Sequence, residues 1–199
     1  MDHLPSYHQK LNDASLWEAF KGGNEEAFKY IYDTKVFALY SYGHRITSDN
    51  GLVEDCIQDL FADLWEKKDR LSSTNSIKFY LFKALRRRLL RRLTQESRTK
   101  TDTFPEDFQI TLSQEARLIA QQVSKARLER LSQAMEKLSK RQKEIIYLKY
   151  YENLSFEEIS ATMAISVEAT YNTLYKAMKS LRNSMKDRSV LAALYSLLF

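Results

Sequence analysis

Residues 154–180 read LSFEEISATMAISVEATYNTLYKAMKS. Ser155 followed three residues later by Glu158 is a capping box, the signal that opens a helix. The helix it opens runs for two to three turns, to about Ala164. A turn of three to four residues follows, and Ser166 stands where a hydroxyl caps a second helix. Ile159, Met163, Ile165, Val167 and Leu174 are spaced to pack the two helices across each other. Two helices joined by so short a turn form a helix-turn-helix. In that unit the second helix enters the major groove, and its first residues reach base edges. Here those residues are Ser166, Glu168, Ala169, Tyr171, Asn172 and Thr173, with Lys176 and Lys179 placed for phosphate contacts. Glu accepts from cytosine, Asn pairs with adenine, and Ala or Thr touches a thymine methyl. The bland alternative is a plain helical hairpin with a solvated polar face.

Outward from this unit the chain stays helical. Ser139 with Gln142 is another capping box, and Leu128, Leu131, Met135 and Leu138 precede it at helical spacing. In the other half of the chain, Ser15 with Glu18 reads as a capping box ahead of Leu16, Trp17 and Phe20. Asn24 reads as the next N-cap, and residues 43–51 (GHRITSDNG) as a break. The 199 residues hold 4 Gly and 2 Pro, too few for the turns of a β-rich fold or a Gly-rich phosphate loop. Hydrophobic residues make up 44%, enough to build a packed core. The expected fold is all-α: two small helical domains joined by a linker, the second containing the helix-turn-helix. The expected boundaries are an N-terminal extension at 1–14, a first domain at 15–95, a linker at 96–126 containing Pro105, a second domain at 127–186 and an apolar tail at 187–199.

The net charge of +5 hides opposed patches. Residues 51–66 hold five acidic and no basic side chains, whereas residues 83–100 hold eight basic and one acidic. In KALRRRLLRRL, Lys83, Arg87 and Arg91 form one i, i+4 row, and Arg88 and Arg92 form a second. Like charges at this density call for an anion, and a phosphate backbone supplies one. Phe79, Tyr80 and Phe82 lie just upstream as partners for an unstacked base, or as ordinary core. In DCIQDLFADLWEK, Asp55, Asp59 and Asp63 form an acidic i, i+4 row, with Phe61 and Trp65 as apolar anchors for a partner. No His stands among these carboxylates, so neither a metal site nor acid–base catalysis is expected there. The single cysteine, Cys56, excludes an internal disulfide and suits a reducing compartment. No signal peptide or membrane span is expected, and the expected location is cytoplasmic.

These three segments, in this order, resemble the extracytoplasmic-function group of the sigma-70 family of bacterial RNA polymerase sigma factors. DCIQDLFADLWEK resembles the family's region 2.2, of "AEDLVQEVFLKLW" type. SIKFYLFKALRRRLLRRL is similar to regions 2.3 and 2.4, with their "aYLfkiarN" pattern. Residues 138–182 are similar to region 4. The resemblance implies a protein without catalytic residues or cofactors that binds core polymerase, directs it to promoters and aids melting. It implies that Asp55, Gln58, Asp59, Phe61, Leu64 and Trp65 bind the β′ clamp helices. It implies that Lys78, Tyr80, Lys83, Arg87, Arg88, Arg91 and Arg92 engage the −10 element. Residues of the helix from Val167 would read the −35 element, beside a β flap contact. An anti-sigma factor is a further implied partner. The family's asparagine falls at Arg87, its turn glycine at Ala164, and its "tVksr" at Thr170-Tyr171-Asn172-Thr173. The main rival is a helix-turn-helix regulator that acts without core polymerase.

Overall fold

A computed structural model describes residues 12–96, 108 and 125–184 of the protein. The expected tail at 187–199, most of the extension at 1–14 and nearly all of the linker at 96–126 lie outside the described residues. The chain divides into two compact units, residues 1–103 and 104–199.

The first unit holds four α-helices among its described residues, α1 (Asp13–Lys21), α2 (Glu25–Ile46), α3 (Asn50–Glu66) and α4 (Ile77–Glu96), with a short 3-10 helix (Lys68–Arg70) after α3. Helix α1 is capped by Asn12, whose side chain accepts from the Ser15 amide at 2.8 Å. The expected Ser15–Glu18 capping box does not form. Asn12 is at least as strong a cap and stands one turn earlier, and Glu18 is engaged by Lys21 and by the Ser73 hydroxyl. Asn24 caps α2 as expected, accepting from the Ala27 amide. The break at 43–51 shrinks to residues 47–49, because α2 continues to Ile46 and α3 opens on an Asp49 cap. Gly43 thus lies inside a helix and is buried.

Its role is steric. A Cβ at Gly43 would sit 2.5 Å from Cγ1 of Val53 on α3. Glycine lets α2 and α3 approach more closely than any side chain would permit. Trp17, Phe20, Leu39, Tyr42, Val53, Leu60, Phe82, Leu85 and Leu89 fill the space where α1–α4 meet, each 2% exposed or less. Burial of a Leu or Phe side chain contributes about 1.5–3 kcal/mol, so this cluster dominates the unit's stability.

The second unit contains α5 (Lys125–Glu136), α6 (Lys140–Ile146), a π-helical turn (Tyr147–Tyr151), α7 (Phe156–Met163) and α8 (Val167–Ser184). Both expected capping boxes here form, Ser139 with Gln142 and Ser155 with Glu158. The turn from α7 to α8 passes through Ala164 at φ 54°, ψ 49°. An L-residue pays about 1–2 kcal/mol in that left-handed region, where glycine pays nothing. One residue of the expected linker belongs to this unit's core: Phe108 is 1% exposed and meets Tyr147 edge-on at 6.0 Å.

Candidate nucleic-acid interface

Helix α8 sorts its residues by face. Thr170, Leu174, Ala177 and Leu181 are buried. Glu168, Tyr171, Asn172, Tyr175, Lys176 and Lys179 are exposed on the other side. The Ser166 hydroxyl accepts from the Ala169 amide at 3.0 Å, so Ser166 is the cap of this helix. Ala169 and Thr173 are half-buried, and the Thr173 hydroxyl donates to the Ala169 carbonyl at 2.7 Å. What remains for a groove is one polar, aromatic and, farther along, cationic stripe.

In the first unit the acidic and basic helices lie side by side. Arg88 pairs with Asp63, and Arg92 pairs with Asp59 at 3.1 Å. The partner numbers run in opposite directions, so α3 and α4 are antiparallel. Lys67 also bonds Asp63, and together Lys67 and Arg88 hold its carboxyl below the usual carboxylate range. The second basic row is therefore tied to the acidic row. The first row differs: Lys83, Arg87 and Arg91 are all exposed, and Arg87 and Arg91 make no ion pair among the described residues. Beneath them Leu81, Leu85 and Leu89 are buried to 0% exposure.

The aromatics upstream divide in the same way. Phe82 is core, stacked on Tyr42 at 4.9 Å. Tyr80 packs against Trp17 at 4.8 Å, and burial pushes its hydroxyl pKa up. Phe79 is half-buried with the Lys83 ammonium 5.4 Å from its ring. Lys78 is half-buried.

On the acidic helix, Asp55, Gln58 and Asp59 are exposed. Phe61 and Leu64 are 4% and 3% exposed, so their side chains serve the unit's own core. Trp65 is half-buried, against Phe28 at 5.1 Å and with Lys68 over its ring at 4.5 Å. Three rings stand exposed that spacing does not place at the surface: Tyr32, on the helical stripe of Ala27, Phe28 and Ile31, at 39%, Phe37 at 79% and Tyr175 at 64%. Periodicity assigns aromatics to buried faces, so only the packed structure reveals them. Among the described residues no group of three or more His, Cys, Asp or Glu could hold a metal ion. No described helix is long and apolar enough to cross a membrane.

An exposed polar helix behind a tight turn in one unit, with an antiparallel acidic–basic helix pair in another, defines a two-module helix-turn-helix protein. Comparisons with known proteins agree. Residues 34–99 match the model of Sigma-70 region 2, and residues 128–181 match Sigma-70, region 4. The chain belongs to the sigma-70 family of RNA polymerase sigma factors, in its extracytoplasmic-function group. Among curated relatives it is similar to the ECF RNA polymerase sigma factor SigK of Mycobacterium ulcerans, 21% identical across 91% of this chain and 96% of the relative. SigK of Mycobacterium tuberculosis strain H37Rv is 23% identical, across 86% and 92%. Among solved structures, Bartonella quintana RpoE, in complex with the anti-sigma factor NepR, matches with a TM-score of 0.55. That match covers 81% of this chain and 98% of the other, at 22% identity. CnrH, in complex with the cytosolic domain of CnrY, matches with a TM-score of 0.57, covering 87% and 96% at 22% identity. At such identities the structural likeness speaks for the fold.

Proposed function

We propose that this sigma factor binds core RNA polymerase through the exposed part of α3, reads promoter DNA with α4 and α8, and aids strand opening. The observation that carries the reading is α8: one face buried, the other an exposed stripe of polar, aromatic and cationic side chains behind a tight turn. On α3 the docking face consists of Asp55, Gln58, Asp59 and the accessible part of Trp65, with Phe61 and Leu64 supporting it from beneath. These contact the β′ clamp helices, and the second unit meets the β flap.

On α4 the free row of Lys83, Arg87 and Arg91 engages the −10 backbone. Arg88 and Arg92 join it when Asp63 and Asp59 release them. The Arg92–Asp59 pair is exposed and the Arg88–Asp63 pair half-buried; surface pairs contribute about 0.2–1 kcal/mol, so DNA phosphates displace the first more readily than the second. Melting is then capture of unpaired bases over stacked ones, which needs neither nucleotide nor metal. On α8, Glu168, Tyr171, Asn172 and Thr173 read the −35 element while Lys176 and Lys179 hold phosphates. An anti-sigma factor, such as the one bound to Bartonella quintana RpoE, is a further partner in this reading. The protein acts in the cytoplasm, where its polymerase is.

Core polymerase supplies the test. A promoter fragment should be shifted by the protein together with core enzyme and far less by the protein alone. Equal shifts in both cases would refute the reading in favour of a regulator that acts by itself. Trp65→Ala and Asp59→Arg should each weaken capture of core enzyme; undiminished capture removes α3 as the docking face.

A further inference from the structure

Helix α8 carries no cation before Lys176. Its N-terminal half must therefore work with hydroxyl, amide, carboxylate and aromatic groups. Within that half two large hydrophobic side chains are exposed, Tyr171 at 50% and Tyr175 at 64%, and Tyr171 is the one nearer the N-terminus. The Tyr171 ring is not free to swing. It stacks on Phe156, the first residue of α7, with centroids 3.7 Å apart and planes 20° apart. Phe156 is itself held: the Lys149 ammonium lies 4.9 Å from its ring centroid and donates to the Leu154 carbonyl at 3.2 Å. Ser155, immediately before it, is locked in a capping box. An exposed side chain loses rotamer freedom when it meets a partner, and here much of that freedom is gone beforehand.

A fixed, half-exposed ring at the groove-entering end of a helix is suited to one feature of duplex DNA. Thymine alone presents a methyl group in the major groove, and apolar contact is how that methyl is read. We propose that Tyr171 reads the 5-methyl group of a thymine in the −35 element, and that Phe156 and Lys149 are positioning residues for its ring. The inference rests on the reading of α8 as the −35 helix. Tyr175, one turn on and also exposed, extends the apolar surface beside it.

The probe is a duplex selected from a randomised pool by the full chain with core polymerase, then resynthesised with each thymine in turn replaced by deoxyuridine. That replacement removes only the methyl group. At one position of the upstream element the wild-type complex should lose about fourfold in affinity, the equivalent of one buried methyl. Tyr171→Ala should bind more weakly and lose the uracil penalty, while Tyr171→Phe keeps it. Phe156→Leu retains apolar volume without a flat ring, and should reduce the penalty with helix content unchanged by circular dichroism. If the selected duplexes share an upstream element but Tyr171→Ala retains the full penalty, or wild type shows none, the assignment is overturned and promoter reading stands. If they share no such element, both are overturned.

Discussion

Replacing Gly43 with alanine tests the contact that sets α2 against α3. Alanine is the better helix former by about 1 kcal/mol, and in an open helix it would stabilise the protein. Here its Cβ would lie 2.5 Å from Cγ1 and 3.3 Å from Cγ2 of Val53. Val53 is 0% exposed, and a β-branched side chain in a helix has one strongly preferred rotamer, so it cannot turn aside cheaply. Overpacking of this kind costs about 1–3 kcal/mol. Set against the propensity gain, the net loss should be about 1 kcal/mol. Trp17 and Trp65, the two tryptophans of the chain, both lie in the first unit, so their fluorescence follows that unit through a urea titration. The midpoint should fall by about 0.5–1 M. Val53→Ala alone removes two methyl groups, about 1.6 kcal/mol of transfer energy. In the double variant the new methyl at 43 occupies part of that space. The combined loss should therefore fall short of the sum by about 1–2 kcal/mol. A Gly43→Ala protein more stable than wild type, or a double variant additive within about 0.5 kcal/mol, would refute the close-approach argument.

Other expectations are briefer. Ala164→Gly relieves a left-handed alanine at φ 54° but loosens the unfolded chain, so it should stabilise the second unit by about 0.5–1 kcal/mol; unfolding followed by circular dichroism checks the sign. The Asp63 carboxyl, depressed by Lys67 and then Arg88, contributes stability that is fully present above about pH 3.9 and is lost as pH falls through its lower folded value. With a third of the side chain exposed, that contribution stays below about 1 kcal/mol. NMR titration should find the Asp63 midpoint below the ordinary carboxylate value and raised by Arg88→Ala. Arg87→Ala and Arg91→Ala should each reduce the salt dependence of promoter binding by about one phosphate contact, across promoter sequences alike; an unchanged slope would remove the row from the interface. Asn172→Ala should instead relax preference at one −35 position by about 1–3 kcal/mol, measured against single-base variants.

The sequence determined what local spacing can encode. Two capping boxes in the second unit, the Asn24 cap, the Ser166 cap and the Ala164 turn each depend on residues three or four apart, and each is visible before any packing is known. The helical stripes of α3, α4 and α8 are legible for the same reason. Where spacing misled, a residue elsewhere in the chain intervened. Gly43 reads as a helix breaker until Val53 is brought against it. Glu18 reads as half of a capping box until Ser73 takes its carboxylate. The start of α4 is capped across the fold, with the Ile77 amide donating to Asp13 at 2.8 Å, while the Trp17 indole donates to the Ser72 carbonyl. Spacing within one segment carries no record of such bonds.

The candidate surfaces divide along the same line. Charge runs announce an acidic helix and a basic helix, but only their antiparallel packing decides which cations are neutralised and which stay free. Periodicity places aromatics on a face without saying how deep they go, so Phe61 and Phe82 fall into the core while Tyr171 remains at the surface. Hydrogen bonds within a turn are written in neighbouring residues; burial and ion pairing depend on which helices the fold sets side by side.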